Sequence, residues 1–249
     1  MKTAVAIGFS VAMLTAAVSA AVAAPSDAEI QKAAAQCFGM VPSNWTTMAT
    51  ACTTIIDLPQ ASAGNKARAH YNRGSAYLRL GGGQNAYDDF TAAIALKPKF
   101  PLALIARAGI FEGQGKHDLA IADLDKAIDA DPKLSAAYSN RGVAYAGKNE
   151  FAKAIADLNK SIELDPTDPE GYAIRGSTYT MAGDNTKALA DLNKALQMNP
   201  RSTTALFNRG KLYVAMKDTA NAKADFSAVL AIDPANQLAK DQLQALGGV

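Results

Sequence analysis

Apolar positions through the middle of the chain fall into helical stripes. Between Ser135 and Ala146, Tyr138, Arg141, Gly142 and Tyr145 stand at i, i+3, i+4 and i+7. Between Glu150 and Leu164, Ala154, Leu158, Ser161 and Ile162 stand at i, i+4, i+7 and i+8. The spacing predicts two helices, each with one face that must be covered by a neighbour. An arginine on the first apolar stripe is out of place, because an unpaired charge on a covered face is costly.

The same pair of helices is written five times. Pro98, Pro132, Pro166, Pro200 and Pro234 are 34 residues apart, and all but the first follow Asp or Asn. The interval also relates Tyr77, Phe111, Tyr145, Tyr179 and Tyr213, then Ala86, Ala120, Ala154, Ala188 and Ala222, then Phe90, Leu124, Leu158, Leu192 and Phe226. Four columns in one register mark an internal repeat. Gly81, Gly115, Asn149, Gly183 and Lys217 occupy the turn between helices, and four of the five tolerate the left-handed backbone that ends a helix. Each proline closes the second helix by pushing the residue before it out of the helical region.

A 34-residue helix-turn-helix unit with an aromatic, a glycine, a second aromatic, an alanine, a large apolar residue and a terminal proline resembles the tetratricopeptide repeat. The resemblance covers residues 67–236 as five contiguous units. It implies an all-α fold, a right-handed superhelical solenoid, and a non-enzymatic protein that binds other proteins. Asn236 to Leu246 resembles the extra helix that covers the last apolar face of such arrays, within a C-terminal segment 237–249 whose Gly247-Gly248-Val249 end is expected to fray. Upstream, in residues 24–66, Asp27 to Cys37 and Trp45 to Ile56 read as a degenerate helical pair joined through Gly39-Met40-Val41-Pro42-Ser43, and so as an N-terminal cap.

Residues 1–23 read as an export signal. Met1-Lys2 is a short basic start, Ala4 to Val18 is apolar, and small residues precede Ala20 and Ala23 as at a cleavage site. An uncleaved anchor is the alternative, since Ala4 to Ala24 is just long enough to span a bilayer. Cleavage after Ala20 or Ala23 leaves a periplasmic or secreted chain without a membrane span. In such a chain Cys37 and Cys52, on facing helices, most simply form one disulfide, the alternative being two free core cysteines.

Composition narrows the remaining chemistry. With 49% hydrophobic and 19% charged residues, the chain can bury a core, and 25 Lys+Arg against 23 Asp+Glu without a basic run argue against a nucleic-acid binder. The two histidines, His70 and His117, and the two cysteines stand at no metal-ligand spacing, and neither histidine is placed with a nucleophile by any motif. Gly81-Gly82-Gly83 follows a helix and lacks a Gly-Lys-Ser/Thr ending, so it reads as a turn and not a phosphate loop. Asp88-Asp89 sits on a repeat helix with one member in a repeated column. No catalytic residue, cofactor or metal is expected.

The misplaced arginine recurs as Arg73, Arg107, Arg141, Arg175 and Arg209, where tetratricopeptide units commonly carry an apolar residue. A matching acidic column, Asp89, Asp123, Asp157, Asp191 and Asp225, precedes the large apolar residue of each second helix. Guanidinium and carboxylate meet in bidentate geometry, so the two columns predict a ladder of structural ion pairs, within a unit or between neighbours. An anion-binding stripe is the competing reading. The glycine after each arginine, replaced only by Ala108, lets two helices approach closely.

The resemblance also implies where a partner binds. In the family, first helices line the concave side, and an asparagine before the column held here by arginine often bonds peptide backbone. The matching positions are Asn72, Ala106, Asn140, Ile174 and Asn208, so three of five keep it; solvated polar positions are the bland alternative. Specificity is expected from the adjoining column Tyr71, Ile105, Ser139, Ala173 and Phe207, with Arg79, Glu112 and Lys211. That column holds no base, which sets aside the subset that grips C-terminal carboxylates of chaperones. The partner is one or more proteins offering an extended peptide or a helix. A self-assembling solenoid, with homo-oligomers, and an accessory subunit of an envelope protease or wall hydrolase stay open.

Overall fold

A computed structural model describes residues 25–39 and 44–247. The expected export signal, most of the connector at 40–43 and the last two residues lie outside the described residues. The chain runs through α1 (Asp27–Phe38), α2 (Trp45–Asp57), α3 (Ala63–Arg79), α4 (Gly83–Leu96), α5 (Pro101–Gly113), α6 (His117–Ala130) and α7 (Ser135–Gly147). It continues through α8 (Phe151–Leu164), α9 (Pro169–Ala182), α10 (Asn185–Met198), α11 (Thr203–Ala215), α12 (Thr219–Ile232) and α13 (Gln237–Ala245), with no strand among the described residues. Each helix packs on the next, and first helices also touch first helices, α5 on α7, α7 on α9 and α9 on α11. The all-α solenoid is the result.

Local chemistry sets the two turns of every unit. Gly81, Gly115, Asn149, Gly183 and Lys217 all have φ between 61° and 82°. The residue after each donates its N–H to the carbonyl of the aromatic column, as Glu150 does to Tyr145 at 2.9 Å and Asp218 to Tyr213 at 2.8 Å. This is the bond that closes a left-handed helix end, and it holds even Lys217 where a side chain costs about 1 kcal/mol or more. At the other end, Asp131, Asp165, Asn199 and Asp233 cap the second helices. Each accepts from the N–H two residues on, across the proline, at 3.0 or 3.1 Å. The Asp/Asn-Pro pair is therefore a side-chain-closed turn.

The repeated columns form the core. Ala86, Ala120, Ala154, Ala188 and Ala222 are fully buried, as are Phe90, Leu124, Leu158, Leu192 and Phe226. In the four units where glycine follows the arginine, it faces that large side chain: a Cβ on Gly142 would stand 2.8 Å from Leu158 Cγ and 3.1 Å from the Ala154 carbonyl, and one on Gly210 would stand 2.7 Å from the Phe226 ring. The missing methyl makes room for a side chain and a backbone together.

Every arginine bonds twice within its own unit. Nε and Nη2 donate to the two oxygens of the aspartate sixteen residues on, at 2.7–2.9 Å, in all five units. Nη1 reaches back to the preceding unit and donates to Thr91, Asp125, Asn159 or Asn193, and in the first unit to Thr53 of α2, at 2.6–3.2 Å. The ladder is thus both within units and between them, and its first rung ties down the cap. All five aspartates are buried. The hydrogen bonds that each guanidinium donates to its aspartate raise the arginine pKa further, so the arginines stay charged. Burial alone would raise the Asp89 carboxyl, but bonds from His70 and Arg73 outweigh it and hold it below its ordinary value. The stability it adds is present above about pH 4 and is lost as pH falls through the lowered value.

The ends are closed as amphipathic helices require. Cys37 of α1 and Cys52 of α2 form a disulfide, inside a core with Met48, Ile55, Ala69 and Ala76. At the far end Ala239, Leu243 and Leu246 cover the face of α12 around Phe226 and Val229.

Two outcomes check this account. Alanine at Arg141 or Asp157 is expected to destabilise by about 2–4 kcal/mol, since a largely buried charge is left alone. Leucine at both is expected to cost less than the two single losses together; strictly additive losses in chemical denaturation would refute the pairing. Reduction of Cys37–Cys52 removes a crosslink worth about 3 kcal/mol for a loop of this length. Amide exchange is expected to rise first in α1 and α2, with α7 to α12 unchanged.

Candidate functional site

The first helices turn one stripe away from the core. Positions three and seven after the asparagine column share its face, so the stripe carries Asn72, Ser75 and Arg79 on α3, Ala106, Gly109 and Gly113 on α5, Asn140, Val143 and Gly147 on α7, Ile174, Ser177 and Met181 on α9, and Asn208, Lys211 and Ala215 on α11. Its middle is small and apolar. A depression of about 340 Å³ is lined by Glu112, Val143, Ala146, Gly147, Ile174, Ser177, Thr178, Met181 and Asn208, from four successive first helices. Val143 is 37% exposed and Met181 52%. Apolar side chains kept in water along a shared face are the informative feature.

Polar groups frame this floor. Asn140 Nδ2 donates to the Ala136 carbonyl of its own helix at 2.8 Å, leaving its amide oxygen to accept from elsewhere. Glu112, at the lower edge, pairs with His117 Nδ1 at 3.0 Å. Gly147 is what admits that imidazole, because a Cβ there would lie 2.5–2.9 Å from its ring atoms.

Several expected contact residues point elsewhere. Tyr71 stacks on Phe90 and Phe100 at 5.9 and 5.4 Å between ring centroids, and Phe207 on Phe226 at 5.4 Å. Ile105 packs beside Ala108 and Leu124, and Ala173 is fully buried. The reason is helical register. Positions 71 and 74 lie at i and i+3, and Gly74 faces Phe90, so that stripe belongs to the unit's own core and not to the outer face. Asn72 is also engaged, its Nδ2 donating to the Cys37 carbonyl at 2.8 Å and docking the cap. The Arg79 guanidinium lies 5.7 Å from the Trp45 ring centre. Asn140, Asn208, Glu112 and Lys211 remain on or beside the outer face. Val143, Ile174, Ser177 and Met181 line it as well; the signal for Val143 and Met181 was an apolar residue three or seven places after the asparagine column.

Among the described residues, no three potential metal-ligating side chains converge, and no helix is long and apolar enough to cross a membrane.

Models of tetratricopeptide repeats match residues 71–135, 135–168, 158–190, 176–217 and 203–236. The chain belongs to the tetratricopeptide repeat family. A thermophilic member from Thermus thermophilus superposes with a TM-score of 0.66 at 20% identity over 72% of this chain and 98% of its own. One from Parabacteroides merdae gives a TM-score of 0.66 at 22% identity over 87% of this chain and 90% of its own. YrrB, described as a tetratricopeptide protein with an unusual peptide-binding site, gives 0.54 at 18% identity over 78% and 97%. No curated protein matches the sequence. At these identities the structural likenesses carry the fold, and the family supports a protein–protein interaction scaffold.

Proposed function

We propose that this tetratricopeptide protein is exported to the cell envelope and works there, without catalysis, as a scaffold that holds a segment of a partner protein against the first-helix face. The carrying observation is the depression across α5, α7, α9 and α11, where Val143 and Met181 stay exposed and Ile174 half-buried beside glycine, alanine and serine. Covering such side chains contributes about 25 cal/mol per Å² of apolar surface. Small residues leave depth for a partner's larger ones. The Asn140 and Asn208 amides give backbone hydrogen bonds that fix register without demanding a sequence. An extended peptide or one helix fits a surface built from parallel ridges. The peptide-binding site named for YrrB supports this use of the fold.

Export rests on the basic start, the apolar stretch and the small residues before Ala20 and Ala23. The Cys37–Cys52 disulfide supports it, since such bonds persist in oxidising compartments. Intact mass of protein recovered from the envelope is expected to correspond to a chain beginning at Ala21 or Ala24; a chain retaining Met1 would refute cleavage.

Binding is tested with a photo-crosslinking residue at position 181 in producing cells, against the same residue at position 160 on α8. Crosslinks to one partner are expected from 181 alone. Met181→Lys with Val143→Glu is then expected to weaken that partner roughly a hundredfold, at about 1.4 kcal/mol per factor of ten, with melting nearly unchanged. Equal binding by this variant, or crosslinks from 160 alone, would place recognition on another face.

A further inference from the structure

A second surface opens between the first and second repeats, away from the first-helix stripe. It is a furrow of about 500 Å³ between α4 and the turn from α5 into α6. Tyr87 and Phe111 form its floor, edge to face at 5.8 Å, and Leu119 stands in its wall 49% exposed. Lys116 and Lys126 line it as well. Its one lining carboxylate, Asp123, is bound twice by Arg107. Among the described residues neither lysine has an acidic partner within ion-pair distance, whereas the Lys153, Lys160 and Lys187 ammonium groups each have one.

Comparison of the repeats shows how far this site departs from its siblings. In the third repeat Glu150 pairs with Lys153 at 2.6 Å, and the lysine lies 5.2 Å from the Tyr145 ring centre. In the fourth, Asp184 and Lys187 do the same over Tyr179, at 2.7 and 5.4 Å. In the fifth, Asp218 accepts from Asn221. The corresponding residues of the second repeat are Lys116, Leu119 and Phe111. Acid has become base, the covering lysine has become an exposed leucine, and the ring has lost its hydroxyl. In the three repeats that follow, these positions satisfy one another; here they leave an apolar cleft under two unpaired cations.

We infer that this furrow is a docking site for an acidic peptide segment of a partner protein, carrying one large apolar side chain that seats against Tyr87, Phe111 and Leu119 while its carboxylates meet Lys116 and Lys126. The complement is chemical: an unpaired positive rim calls for negative charge, and the cleft has the volume of a small-ligand pocket, enough for one bulky side chain. The site works independently of the first-helix face.

The test uses fluorescein-labelled heptapeptides with a central leucine or phenylalanine flanked on each side by glutamates, compared with the same peptides carrying lysine flanks or a central serine, titrated into the folded, disulfide-bonded chain by anisotropy. Saturable binding of the acidic leucine or phenylalanine peptides alone is expected, weakening several-fold between low and physiological salt. Leu119→Lys, which installs the residue found in the third and fourth repeats and so preserves the fold, is expected to weaken binding at least about tenfold. Lys116→Glu is expected to weaken it further at low salt than at high salt. Met181→Lys is expected to leave it unchanged. The proposal is overturned if no acidic peptide binds, if Leu119→Lys binds equally well, or if Met181→Lys abolishes binding. It is also overturned if Leu119→Lys removes self-association in light scattering, or binding to anionic phospholipid vesicles, without affecting the peptides.

Discussion

One guanidinium, shared three ways, is the contact on which the stack depends. Two of its N–H groups close on the aspartate of the same unit, and the third reaches a side chain of the unit before. Because the arginine lies on a stripe that must be covered, its charge has to be met inside the array, and the planar fork meets it in a fixed geometry. That geometry orients the second helix relative to the first and each unit relative to its predecessor. The following glycine lets the pair sit deep, with Leu158 or its equivalent packed into the space a methyl would fill. Shared side chains of this kind turn nearest-neighbour packing into continuous coupling along a solenoid.

The ladder also explains what is left over for recognition. With one side of each first helix given to the core and to the arginine, the stripe at three and seven residues past the asparagine column is left facing outward. Variation there is free to serve a partner, and it runs from polar Asn72, Ser75 and Arg79 at one end to small and apolar residues in the middle. The same reasoning makes the second repeat conspicuous. Its turn departs from the charge pattern of the three that follow it, while its arginine rung, Arg107 with Asp123, is kept. Structure is held constant where the ladder requires it and released beside it.

Much of this was legible in the residues. A strict 34-residue period fixes element type, turn position and the match of an arginine column to an aspartate column, because each column repeats one physical demand five times; which aspartate each arginine meets came from the structure. The third contact of the arginine was not legible: its acceptors are Thr53, Thr91, Asp125, Asn159 and Asn193, which share hydrogen-bonding capacity but not residue type. Lys217 adopts the left-handed turn against its own preference because the closing bond to Tyr213 is common to all units. Tyr71 and Phe207 were expected outward because aromatic residues make good anchors, yet one step of about 100° around the helix decides burial, and their stripe faces Phe90 and Phe226. Val143 and Met181 were missed because single exposed apolar residues look ordinary until neighbouring units bring them into one depression.

If the shared guanidinium couples the repeats, removing one rung should disconnect the array at that point. Native-state hydrogen exchange on the Arg141→Leu, Asp157→Leu chain measures this most directly, since leucines preserve packing while abolishing all three bonds. In the unmodified chain, α6 and α8 are expected to open with one common free energy. In the variant, α5 and α6 are expected to separate from α7 and α8 and open independently. Identical exchange in both pairs of helices, shifted together or not at all, would contradict the claim that this contact joins the repeats.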